Sequence, residues 1–176
     1  MFEGWGEFYL MAGSSAAVLI GLIFVVVTLM HDRSRSSVLA GSRLYMGPVV
    51  LQVSFVLVLS AGALAAGIGP RAMAALAFVI AAWGLARAAI SVAGIRALTG
   101  EDTAHWTDAW FYGAIPGLLY LALGAVGVGF WSGRAWAVEA IAAVITAMLL
   151  NAIRNEWDLV TWLAPRPDRA GPLDRE

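Results

Sequence analysis

Residues 8–30 read FYLMAGSSAAVLIGLIFVVVTLM, a run of 23 positions with neither a charge nor a proline. As a helix rising 1.5 Å per residue the run is about 34 Å long, enough to cross a hydrocarbon core of roughly 30 Å. It is too long for a strand and longer than most helices buried in a soluble core, so it reads as a membrane helix. The residues before it, MFEGWGE, carry Glu3 and Glu7 where a cleavable signal would carry basic residues. The segment is therefore expected to stay in the membrane as the first helix.

Working outward, residues 31–43 (HDRSRSSVLAGSR) are polar and hold three arginines, and a second apolar run covers 44–69 with Tyr45, Gln52, Ser54 and Ser60 as its interruptions. The cluster Gly67-Ile68-Gly69-Pro70 should end it, since proline lacks a donor and glycine favours turns. A third helix is expected over 71–97. TGEDTAHWTD (99–108) is the longest clearly polar stretch between apolar runs, and a fourth helix follows over 110–131 with Pro116 inside it. Ser132 and Gly133 then leave room only for a tight antiparallel hairpin into a fifth helix over 134–153. Residues 154–164 (RNEWDLVTWLA) place Ile153, Trp157, Val160 and Leu163 near one face, the pattern of a helical extension lying at the interface. One transmembrane domain is thus expected over 1–164, ahead of a charged, proline-rich tail over 165–176 that is expected to be disordered.

The composition agrees: of 176 residues, 61% are hydrophobic and 13% charged, with a mean hydropathy of +0.80. The predicted class is all-α, a polytopic transmembrane bundle with five crossings. A four-crossing version, with the fifth run re-entrant or the third not inserted, is the alternative. Arginine supplies all 11 basic residues. With the N-terminus outside, eight of them (33, 35, 43, 96, 154, 166, 169 and 175) lie inside and two (71 and 134) outside, which is the bias that sets orientation. Seven tryptophans (5, 106, 110, 131, 136, 157 and 162) fall near helix ends, as in the aromatic belts at headgroup level, and only Trp83 lies deep. The near balance of 11 basic and 12 acidic residues builds no nucleic-acid surface, and the absence of cysteine excludes disulfides and thiolate chemistry.

Small residues recur at helical spacing, with Ala17 and Gly21 on helix one and Gly113, Gly117 and Gly124 on helix four. Such stripes let backbones approach in lipid. A bundle this small encloses little interior, so any conduction path is expected to need a homo-oligomer. Arg87 is the most conspicuous polar residue: a guanidinium near the bilayer centre costs at least about 2.5 kcal/mol and stays charged. By helical rise Asn151 and Gln52 are at compatible depths and are candidate partners. Snorkelling beside Ser91 and a structural clamp are alternatives to a water or anion path. Glu139, one turn inside helix five, reads either as a proton- or cation-exchanging carboxylate or as a shallow interfacial one. His31, Glu101, His105 and Asp108 gather at the inner end, where a divalent metal would need such ligands. A solvated segment capping helix four reads them equally, and no cofactor is expected.

The opening WGEFYLMAGSSAAVLIGLIFVVV and the closing NAIRNEWDLVTWLA resemble small multi-helix inner-membrane proteins of bacteria with high-GC genomes. The resemblance implies a multi-pass inner-membrane location and brings no catalytic or transport residues with it. The first functional expectation is a homo-oligomeric channel or transporter for an ion or small solute using Arg87, Gln52, Glu139 and Asn151. The alternatives are a structural or regulatory subunit that binds other transmembrane helices and, third, a membrane enzyme with an inner-face metal site. The expected topology predicts that a cysteine placed at Ala104 is labelled by an impermeant maleimide only after the membrane is opened. Labelling in intact cells would reverse it.

Overall fold

In lipid, every backbone amide and carbonyl must find its partner within the chain, which leaves helices as the structure for runs like these. The computed structural model describes residues 1–29, 47–97 and 110–163. Among these the elements are α1 (Gly6–Leu29), α2 (Gly47–Leu64), α3 (Pro70–Ala97), a π turn (Trp110–Ala114), α4 (Ile115–Trp131) and α5 (Ala137–Leu163). α1, α2, α3 and α5 are long and apolar enough to cross a membrane. The fifth apolar helix, α4, has 17 residues and is about 26 Å long. The chain is an all-α bundle and a multi-pass membrane protein.

The boundaries differ from those expected at several points: α1 opens at Gly6 rather than 8, and α5 at Ala137 rather than 134, because residues 134–136 complete the turn, the Ala137 amide bonding the Arg134 carbonyl at 3.2 Å. α2 ends at Leu64 rather than 69, because the Ala65 amide already turns back to the Gly62 carbonyl and Gly67 sits at φ +75°. The fourth helix opens with a π turn before α4 begins at Ile115. No break separates the fifth helix from its extension, and α5 runs unbroken through Leu163. Between α4 and α5 the chain reverses through Gly133 at φ +66°: its amide bonds the Phe130 carbonyl at 3.1 Å and the Arg134 amide bonds the Gly129 carbonyl at 2.9 Å. This crossed pair satisfies the last carbonyls of α4, and the left-handed residue it requires is one that glycine adopts without strain.

Helix α3 packs most extensively on α4, and α1 on α2, while α2 also touches α3 and α5. The α3–α4 seam is antiparallel and regular, with Phe78 against Gly127, Ala81 against Gly124, Ala88 against Gly117 and Val92 against Gly113. Between them Gly84 receives Tyr120, and a Cβ on Gly84 would run into the Tyr120 ring. Large side chains thus alternate between the helices, each lodged where its opposite number is glycine, so the backbones approach closely along the seam. Gly113, Gly117 and Gly124 are therefore engaged within the protomer. Ala17 and Gly21 on α1 face outward, with no atom of another helix among the described residues within 4 Å of a Cβ at Gly21.

Tyr9, Leu59, Met73, Leu123, Ile141, Ile145 and Met148 form the fully buried centre. At the N-terminal end Phe2 bridges Tyr9 and Phe130, with ring centroids 5.1 and 5.9 Å apart, which ties the start of the chain to the end of α4. The outer surface is apolar as well: Leu10, Phe24, Val79, Leu121, Val128 and Leu150 are exposed. In water that surface would aggregate; against acyl chains it is at home.

The seam predicts that Gly84→Ala, which forces α3 and Tyr120 apart, lowers stability by about 1–3 kcal/mol. Gly21→Ala should stay within roughly 0.5 kcal/mol of wild type. Thermal unfolding in one detergent, followed by circular dichroism, checks the difference.

Candidate functional site: an interhelical amide ladder

The C-terminal part of α5 is polar on the inside and apolar on the outside. Asn151 and Asn155, four residues apart and so on one face, are 7% and 1% exposed, whereas Ile153 and Trp157 are 49% and 71% exposed. A helix lying on the membrane surface would be arranged the other way, with its apolar face toward the bundle and lipid and its polar face toward water. Here Asn151 and Asn155 face protein, while Ile153 and Trp157 face outward.

Gln52 of α2, 1% exposed, is the opposite rung. Its Nε2 donates to the Met148 carbonyl at 2.8 Å, and its Oε1 accepts from Asn151 Nδ2 at 3.0 Å. Both ends of one amide are thus used to join α2 to α5. Asn155 Nδ2 donates to the Phe111 carbonyl at 3.1 Å, and Asn155 Oδ1 accepts from Arg154 Nη1 at 3.2 Å. The Arg154 guanidinium also stands over the Phe111 ring, with Cζ 3.2 Å from its centroid.

The sequence explains why Phe111 offers a carbonyl. In an α-helix that carbonyl would accept from the amide of residue 115; in the i to i+5 register of the π turn it would face the amide of residue 116. Residue 116 is proline and has no amide hydrogen. The π turn followed by Pro116 therefore leaves the Phe111 carbonyl without a helical donor, and Asn155 supplies one from α5.

The expected polar residues are distributed unevenly. Gln52 and Asn151, candidate partners for Arg87, pair with each other instead. Arg87 lies half-buried on α3, with no hydrogen bond or ion pair among the described residues, and Ser91 one turn along is buried with its Oγ unbonded. Glu139 is exposed in the first turn of α5, where the helix dipole favours a carboxylate. His31, Glu101, His105 and Asp108, the metal candidates, and the tail over 165–176 lie outside the described residues. Asn155, Arg154 and Phe111 were not anticipated as a site; the signal available was the four-residue spacing of Asn151 and Asn155 in line with Met148.

Chemically the ladder is a clamp rather than a catalytic centre: amides and a carbonyl bond one another, with no nucleophile or base among them. One group is left over, since Asn151 Oδ1 is buried without a partner. Interhelical hydrogen bonds in lipid average about 0.6 kcal/mol and reach about 1.7. Gln52→Leu and Asn151→Leu should each lower stability within that range, and the double variant should lose less than the sum, because the two share a bond. Asn155→Leu orphans the Phe111 carbonyl and should cost about 1–3 kcal/mol. Denaturant unfolding of the four proteins in detergent measures both effects.

No family model matches the chain, and no curated protein or solved structure proves similar to it. What the helices themselves establish is a small multi-pass membrane protein in which the buried amides Gln52, Asn151 and Asn155 join helices to one another.

Proposed function

We propose that this chain is a structural or regulatory membrane subunit that works by binding other transmembrane helices. It would cross a bacterial inner membrane five times, with the N-terminus outside and the C-terminus inside. The supporting observation is the mutual pairing of the interior amides: Asn151 bonds Gln52, Gln52 bonds the Met148 carbonyl, and Asn155 bonds the Phe111 carbonyl, while the Tyr9, Ser60 and Ser91 hydroxyls are buried unbonded among the described residues. A solute path needs polar groups turned toward water, whereas these are turned toward one another. A groove of about 420 Å³ between α3 and α4 is apolar, lined by Leu85, Val92, Gly113, Gly117 and three alanines of α3. The surface offered to a partner is on α1, which packs on α2 and α5 and leaves Ser14, Ala17 and Gly21 outward. A second helix, from another protein or another copy, would approach closely there.

A homo-oligomeric channel or transporter is the second reading, favoured by Arg87. A charge in the middle of a membrane helix with no partner among the described residues suits a path formed between copies. Glu139 would then lie at its outer mouth.

Two measurements separate the readings. Proteoliposomes of wild type, R87K, R87Q and R87L should pass no more ion or small solute than empty liposomes, and R87L should be at least as stable as wild type. Flux that survives R87K and fails in R87Q would establish the channel. In lipid, Gly21→Leu should reduce association with copies or partner helices several-fold by single-molecule photobleaching and crosslinking; unchanged association would remove α1 as the binding face.

A further inference from the structure

Arg154 is mounted differently from an ordinary surface arginine. Its guanidinium is held over the Phe111 ring at 3.2 Å, and Nη1 is braced by Asn155 Oδ1 at 3.2 Å. Asn155 is in turn fixed to the Phe111 carbonyl. A long side chain that would normally lose much rotamer freedom on binding is thereby oriented in advance. No carboxylate among the described residues forms an ion pair with it. The ring covers one face of the guanidinium and leaves its N–H rim, of which one donor meets Asn155.

Its place in the bundle says what could meet the rest of that rim. Arg154 lies 17 residues beyond Ala137, about 26 Å along α5, near the far boundary of a roughly 30 Å hydrocarbon core. Around the helix it falls between the inward amides Asn151 and Asn155 and the outward apolar side chains Ile153 and Trp157, and it is itself half-buried. Trp110, next to Phe111, is exposed at the same end. A cation at headgroup depth, set beside two outward indoles that suit that layer, faces phosphate rather than bulk water.

We propose that Arg154, stacked on Phe111 and braced by Asn155, binds the phosphate of an anionic phospholipid headgroup at the C-terminal end of α5. The planar N–H fork matches two phosphate oxygens, and the net negative headgroup is preferred because the guanidinium stays charged and, with Glu156 and Asp158 on the same stretch of α5, forms no ion pair among the described residues. The assignment needs only the membrane-spanning bundle and stands apart from the helix-binding role proposed above.

The test is native mass spectrometry of the purified full-length chain, transferred from detergent containing equal phosphatidylglycerol and phosphatidylcholine. Wild type should retain phosphatidylglycerol over phosphatidylcholine by about fivefold, the size expected for one basic residue near a membrane surface. R154Q should bring the ratio close to one, while R154K keeps part of the preference. Phe111→Leu, which leaves the charge and removes its support, should fall between wild type and R154Q, and it decides the matter if R154Q fails to fold. An unchanged preference in R154Q, or in Phe111→Leu where R154Q is unfolded, overturns the site. Displacement of the lipid by inorganic phosphate at equal concentration would show a free-anion site and overturn the lipid assignment.

Discussion

A backbone carbonyl packed between helices needs a donor, and in this bundle the Phe111 carbonyl has to find one on another helix. Its helical donor is missing because the π turn shifts the register by one residue and the shifted partner is Pro116. Leaving it bare would cost about 1–3 kcal/mol. Asn155 satisfies it from another helix, and this agrees with the rotation of α5: with Asn155 pointing inward, Asn151 points inward one turn earlier and Trp157 outward. Asn151 then meets Gln52, which brings α2 to the same level. These bonds continue the inward face that Ile141, Ile145 and Met148 already define on α5.

The rest of the bundle is held by shape. Apolar burial drives little association when the alternative is lipid, so close approach must supply the contact energy. The α3–α4 seam does this through the alternation of Phe78, Tyr120 and Val92 with the glycines opposite them. The same seam occupies the glycines of α4, while Ser14, Ala17 and Gly21 of α1 remain outward. The two modes are separated along the molecule, with knobs into glycine on the α3–α4 side and paired amides where α2, α5 and the π turn converge.

That division bears on what the protein does. Amides that bond one another are poor solute ligands, and a close-packed seam is a poor conduit. Both describe an interior organised to hold its own helices. Two arginines illustrate opposite arrangements: Arg154 is stacked and braced, whereas Arg87 meets neither a ring nor an acceptor among the described residues. A fixed guanidinium suits recognition of a defined group such as a headgroup phosphate; one without a fixed partner remains the strongest argument for the channel reading.

The sequence by itself determined the class of structure, because an uninterrupted apolar run such as 8–30 has a length that hydrocarbon thickness converts directly into a helix. It also determined the punctuation at Gly133 and near Pro70, where local backbone chemistry needs no tertiary partner. Which polar residues meet was decided only by the tertiary structure. Depth along a helix can be counted from sequence, and it made Gln52 and Asn151 plausible companions of Arg87; azimuth around the bundle cannot be counted, and it turned them toward each other. The residues 154–164 show the same limit. Their periodicity is legible, yet which of these residues turns toward a neighbouring helix depends on the partners that α2 and the π turn supply, and those are not legible in the sequence of α5.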